Sequence, residues 1–246
     1  MPQWRLLPNS KHSLKLASVM TFAEQVLHFN RSLSPDWEIP AHAQLLYPFD
    51  APDTWAVMQA FYQKYYSDKQ PRIALFGINP GRFGAGVTGV PFTDPIRMQD
   101  VCGIPNDMDK KPELSSDFVY RFIAGWGSTA DFYRYFYITS LCPLGFVKDG
   151  KNYNFYDDKK LERAVKPHII SNIRAQLSMG VSNKVALVMG VGKNWKFFEP
   201  LNREEGFFEE VLPLPHPRWV MQYRRKRMDE FLAQYQDALA YAAGKL

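Results

Sequence analysis

A chain of 246 residues, 46% of them hydrophobic, is long enough for one substantial core and short of two independent domains. Its 30 Lys and Arg against 25 Asp and Glu leave a net charge of +5 and a pI near 9.1, which suits a polyanionic partner without demanding one. The two cysteines, Cys102 and Cys142, lie far apart, which argues against a disulfide scaffold or a cysteine-rich zinc site and excludes a four-cysteine iron–sulfur cluster.

The first residues, MPQWRLLPNSKHS, lack an apolar core of signal-peptide length, and nowhere do roughly eighteen apolar residues run together. A soluble, cytoplasmic protein with no membrane partner is expected. From Ser18 to Asn30, Val19, Phe22, Val26 and Leu27 recur at helical spacing and predict an amphipathic helix, followed by a non-periodic loop from Leu33 to Tyr47. Asp53 to Ser67 predicts a second helix, opened by Pro52 and ended before Pro71, whose face of Trp55, Met58, Phe61, Tyr62 and Tyr65 belongs in a core. These elements make residues 1–70 a helical N-terminal extension to a core over 71–246, within a single 1–246 domain.

Arg72 to Phe76 is a short apolar run between a proline and a glycine, as a buried parallel strand would be. The loop that follows holds Gly77, Gly81, Gly84, Gly86 and Gly89, where a backbone without Cβ can turn sharply or lie against a ligand. It also carries Asn79, and ligands of open α/β sheets collect at the carboxyl ends of strands. A structural turn without a ligand is the other reading. Gly84 to Gly89 matches G-x-G-x-x-G formally, but Pro91 and Pro95 follow where a dinucleotide site needs a helix.

Further along, Ile96 to Cys102 predicts a short helix, Gly103 to Ser116 a polar surface loop, and Phe118 to Ala124 a helix stopped at Gly125-Trp126-Gly127. Tyr135 to Thr139 is the second strand, and its carboxyl end delivers Ser140 beside Asn79. Asp157 to Met179 predicts a long helix ending at Gly180, and Lys184 to Met189 the third strand. Gly190-Val191-Gly192-Lys193 is not a P-loop, because Leu187 stands where its first glycine belongs and Asn194 follows the lysine. Phe208 to Leu214 is the fourth strand, running into Pro215-His216-Pro217, and Met221 to Ala243 predicts a terminal helix. The fold expected is α/β, a central four-stranded, mostly parallel sheet flanked by helices.

Four segments in order carry a family likeness. Gly77-Ile78-Asn79-Pro80-Gly81, Phe83-Gly84 and Thr88-Gly89-Val90-Pro91-Phe92 resemble the first motif of the uracil-DNA glycosylase superfamily, in the form seen in single-strand-selective monofunctional uracil-DNA glycosylases. Ser140 to Leu144 with Gly150-Lys151-Asn152 resembles that family's middle segment, Met189 to Lys193 its third strand and turn, and Pro215-His216-Pro217-Arg218 its second motif. The likeness spans about Arg72 to Tyr223 and implies a divergent bacterial-type member, nucleoid-associated by function. It implies a base-excision repair hydrolase acting as a monomer on single- or double-stranded DNA containing uracil or modified bases, with no metal and no cofactor.

The resemblance assigns water positioning to Asn79 and stabilisation of the leaving base to His216. It places Ile78, Gly81, Phe83, Gly84, Phe92, Ser140 and Asn152 around the base. Such enzymes extrude the nucleotide and fill the gap with a wedge, here within Arg218, Trp219, Tyr223, Arg224, Arg225, Lys226 and Arg227. A basic run at a helix start is otherwise a solvated face, and here it opposes the macrodipole.

Three departures stand out. The family's middle motif has Asn where this chain has Ser140, which cannot make the same two-point contact with a base edge, and its second motif is two residues longer. Gly84-Ala85 also replaces a bulkier pair, predicting a wider pocket that tolerates altered bases. The competing readings are a non-catalytic nucleic-acid-binding module on the same fold and a nucleotide-utilising enzyme, for which Asp94 and Asp100 are the nearby acids.

Overall fold

The computed structural model describes residues 20–246, so Ser18 and Val19 of the first expected helix lie outside the described residues. In chain order the strands are β1 (Gln44–Leu46), β2 (Arg72–Gly77), β3 (Phe136–Ser140), β4 (Gly145–Lys148), β5 (Lys151–Tyr153), β6 (Val181–Met189) and β7 (Glu210–Leu214). The helices are α1 (Phe22–Ser32), α2 (Pro52–Tyr65), α3 (Ala85–Thr88), α4 (Pro95–Asp100), α5 (Leu114–Trp126), α6 (Thr129–Tyr135), α7 (Lys159–Ser178), α8 (Lys193–Glu205), α9 (Pro217–Tyr223) and α10 (Met228–Ala243).

β2 is buried at every residue because β3 pairs with it on one side and β6 on the other. β7 adds outside β6, giving the order β3-β2-β6-β7 with each pairing parallel, so all four carboxyl ends open on one edge. These are the four strands read from the sequence. β6 starts at Val181, three residues before the expected Lys184: Val181 pairs with Arg72, the ladder is irregular between Arg72 and Ala74, and Ser182 to Lys184 have no register partner on β2.

Arg72 begins β2 with no exposed surface, a placement tolerable only because each guanidinium nitrogen has a partner. Its Nε donates to the Tyr133 carbonyl at 2.8 Å, its Nη1 to the Gln70 carbonyl at 2.6 Å, and its Nη2 to both Asp68 oxygens at 2.9 and 2.8 Å. The aromatic face of α2 goes into the core as the sequence predicts: Phe61 and Tyr62 are buried with Phe22, Tyr66 and Tyr133, and Tyr66 Oη donates to the Phe136 carbonyl at 3.0 Å. α1 is set by a capping box, Thr21 Oγ1 accepting from the Glu24 N–H while the Glu24 carboxylate accepts from the Thr21 N–H.

Three expectations are corrected. The stretch from Leu33 to Tyr47 is not wholly loop, since β1 pairs antiparallel with β4, and β4 with β5, in a second sheet of order β1-β4-β5. The β4–β5 hairpin turns at Asp149-Gly150, both at positive φ (49° and 68°), an Asp-Gly hairpin signal present in the sequence. α3, within the glycine loop, α6 and α8 are additions to the predicted elements; α8 contains Pro200, which obscures its period. The terminal helix is not continuous: α9 stops at Tyr223, a 3₁₀ turn spans Arg225–Arg227, and α10 starts at Met228. Four adjacent cations from Arg224 to Arg227 repel within one helical turn, and α10 begins where Asp229 and Glu230 complement its N-terminus.

Candidate active site

The carboxyl ends of β2, β3, β6 and β7 open into a cleft of about 830 Å³. Each strand hands a different group to it: Asn79 after β2, Ser140 at the end of β3, the Gly190-Val191-Gly192 turn after β6, and His216 after β7. Gly77 and Ser140 are register partners, and the ladder continues past them with Leu141 and Cys142 N–H groups donating at 3.0 Å to the Gly77 and Ile78 carbonyls.

The Phe92 ring lies directly over Gly77. A Cβ there would stand 2.7 Å from Phe92 Cε2 and 3.5 Å from Ser140 Oγ, so close approach requires glycine at this position. Phe92 itself has φ of 55°, a left-handed conformation unusual for a bulky residue, and its ring centroid is 5.9 Å from that of His216. Ile78, Phe92, Ser140 and His216 thus line one wall region of the cleft.

Asn79 is held by the second sheet. Its Oδ1 accepts from the Phe155 N–H at 3.1 Å, and its Nδ2 donates to the Tyr153 and Pro80 carbonyls at 3.3 Å. One lone pair of Oδ1 remains for a further donor such as water. Asn152 lines the cleft and also supports the loop: its Oδ1 accepts from the Arg82 N–H at 3.1 Å, close beside Gly81. Phe83 is 38% exposed at the rim, with the Arg82 guanidinium 4.5 Å over its ring.

His216 is the N-cap of α9, with Pro217 at its first position. Its Nδ1 accepts from the Arg218 N–H at 3.2 Å, so a neutral imidazole carries its hydrogen on Nε2. Burial, and then the neighbouring Arg218 charge, push its pKa down to about 4. At neutral pH the ring is therefore an uncharged Nε2–H donor.

Glu113 is a site residue that the sequence does not single out. It sits at the end of the loop expected to be plain surface, and it lines the same cleft. A Cβ on Gly84 would collide with Glu113 Oε2, so a carboxyl occupies the space that the missing side chain leaves. Burial and the adjacent Asp94 raise its pKa to about 7, with Arg218 opposing. Asp94 is buried and does not line the cleft; it caps α4, accepting from the Arg97 N–H at 2.8 Å and the Glu113 N–H at 3.0 Å. Lys151 and Lys193 also reach the cleft. Both stand in segments that carry the family likeness, Gly150-Lys151-Asn152 and Met189 to Lys193, but neither is given a role by it.

The expected wedge segment divides. Arg218, Trp219 and Tyr223 line the cleft, Tyr223 being 60% exposed, whereas Arg224 to Arg227 lie beyond its lining. Arg224 stacks its guanidinium 4.8 Å over Trp219, and Arg227 is occupied by Glu230 at 2.6 Å. Among the described residues no cluster of three or more His, Cys, Asp or Glu side chains is arranged to hold a metal ion, and no helix is long and apolar enough to cross a membrane.

Strand ends that bring an amide, a serine, an aromatic ring and a histidine donor to one cleft fit a known family. The uracil DNA glycosylase superfamily matches residues 63–240, and the chain belongs to that superfamily. It is similar to the single-strand selective monofunctional uracil-DNA glycosylase of Rattus norvegicus, 30% identical over 193 residues that cover 70% of this chain and 66% of the relative. The corresponding protein of Mus musculus is 28% identical with the same coverage, so the chain spans 66% of the length of these relatives. The crystal structure of Pedobacter heparinus SMUG2 superposes with a TM-score of 0.87 at 41% identity, covering 91% of this chain and 98% of that one.

Proposed function

We propose that this protein is a monofunctional DNA glycosylase that extrudes uracil, or a modified uracil, from DNA and hydrolyses its N-glycosidic bond. Breaking that bond builds positive charge on the sugar and negative charge on the departing base, so the site needs a positioned water and a donor aimed at a base oxygen. Asn79 orients the water through the free lone pair of Oδ1, and as a neutral amide it is a weaker proton acceptor than a carboxylate. His216 donates from Nε2 to the base as its charge develops, and Phe92 stacks on the base plane. Trp219 and Tyr223 beside the cleft suit a wedge, and the cations around them suit phosphates.

The observation that carries the reading is the His216 cap. A histidine whose Nδ1 is occupied by a backbone N–H, and whose pKa is held near 4, presents a neutral donor to the cleft at every physiological pH. The test incubates oligonucleotides carrying one uracil, single-stranded and duplex, with the protein in chelator, then cleaves abasic sites with alkali. Strand scission at the uracil position is expected. Intact strands, or activity restored only by added metal, overturn the reading.

A further inference from the structure

Glu113 is a carboxyl that folding does not explain. It occupies the N-cap position of α5 yet makes no capping bond, and among the described residues its side chain has no hydrogen-bond or ion-pair partner. Its backbone is nonetheless fixed, through the N–H donated to Asp94. The side chain lies against the glycine loop: Oε2 fills the space over Gly84, and Oε1 is 3.7 Å from where a Cβ of Gly81 would stand. A partly buried, unpaired carboxyl costs stability unless something else pairs with it. Here the open side of the group is the cleft that also holds Phe92, Ser140 and His216. Ser140 meanwhile offers one short hydroxyl for base reading, which leaves room for a second reading group.

We propose that Glu113 is a specificity-determining residue of this pocket, accepting a hydrogen bond from a donor group on the extruded base, so that bases presenting an O–H or N–H toward the Gly81–Gly84 wall are preferred over equally bulky bases presenting only an acceptor. The proposal rests on the glycosylase reading above. It gives the pocket a charge-dependent preference. With a pKa near 7, the carboxyl is an acceptor above neutrality and gains a proton to donate below it. The charged groups that act on it are Asp94 at the start of α4 and Arg218 on α9, and Arg82 on the glycine loop, Lys151 on β5 and Lys193 at the start of α8 line the same cleft. His216, held near 4, does not titrate in that window.

The test measures equilibrium binding of oligonucleotides whose 2′-fluoro sugar resists cleavage, bearing uracil, 5-hydroxymethyluracil or 5-formyluracil, to the wild type and to Glu113→Gln at about pH 6 and about pH 8. The wild-type-to-variant affinity ratio cancels differences between the bases themselves. For the hydroxymethyl base this ratio should be about tenfold at the higher pH and shrink at the lower. For the formyl base, whose 5-substituent is an acceptor only, it should lie below one at the higher pH, and for uracil, which lacks a 5-substituent, near one throughout. Glu113→Asp, which keeps the charge but withdraws it by a methylene, should lose part of the preference, and melting curves establish that each variant folds. Ratios equal for all three bases at both pH values overturn the proposal. Single-turnover excision on ordinary sugars, run in parallel, judges the glycosylase reading separately: absent excision with base-dependent ratios sinks that reading and keeps this one, and excision with flat ratios does the reverse.

Discussion

The glycine loop with Phe92 and the segment after His216 border the same cleft but are built in opposite ways. The first is clamped: Gly77 lies under Phe92, Asn79 is tied to Tyr153 and Phe155, and Arg82 to Asn152. The second is almost free, Tyr223 and Arg224 to Lys226 being exposed, with Arg225 and Lys226 in no ion pair among the described residues. Groups that do chemistry need fixed geometry at the scale of a few tenths of an ångström, whereas groups that grip a polyanion need only charge and reach. The contrast predicts that substitutions in the first region change rate and those in the second change affinity.

The largest effect should come from the clamped region. His216→Ala and Asn79→Ala should each cut single-turnover excision by about 10²–10³ while DNA affinity stays within a few fold. A wild-type rate in both variants, measured with enzyme in excess, would break the assignment. The pH profile sharpens it: His216 has a folded pKa near 4 against 6.5 for the free side chain, so excision should stay level from neutrality to about pH 5 and fall toward 4 as Nδ1 takes a proton and loses the Arg218 N–H. The same shift costs stability as pH falls from 6.5 to 4, because the unfolded chain binds the proton first. Thermal melts across that window check this as a difference, wild type losing stability relative to His216→Ala as pH falls; the raised pKa of Glu113 contributes the opposite slope to both proteins and cancels in the difference.

Next in size is Gly77→Ala. Its methyl would press on Phe92 at 2.7 Å, and relief of such overpacking costs roughly 1–3 kcal/mol. The expected result is an excision rate lower by an order of magnitude, with the fold retained by circular dichroism. An unchanged rate would mean that the position of Phe92 over Gly77 does not matter to the reaction.

The free region should respond more mildly and only through affinity. Replacing Arg224, Arg225 and Lys226 together with Ala should lower the slope of log K against log salt by about 0.7–0.9 for each phosphate no longer neutralised, at unchanged single-turnover rate. The smallest effect belongs to Arg227→Ala, since that guanidinium is already paired with Glu230. If Arg227→Ala alone flattened the slope as much as the triple variant, the comparison between paired and unpaired cations would fail.

Much of this molecule is legible in its sequence. The four core strands, the glycine loop after β2 and the positions of Asn79 and Ser140 at strand ends follow from local signals, apolar runs bounded by Pro and Gly and turn residues at their carboxyl ends, whereas Phe92 and His216 are marked only by the family resemblance. Such signals are local because a buried strand must be apolar along its own length whatever it pairs with. Other features are relations between distant residues and have no local mark. β1 is three residues that become a strand only through β4, and Asn79 finds its acceptor and donor 74 and 76 residues away. Glu113 reads as a polar residue after a proline, and becomes a cleft carboxyl with a raised pKa only because the fold lays it on Gly84 beside Asp94. The sequence by itself thus determined which strands form and which side chains their ends present. Tertiary structure alone decided the tautomer of His216, the clamping of Asn79 and the charge on the pocket wall, because burial and hydrogen bonding between remote segments set those properties.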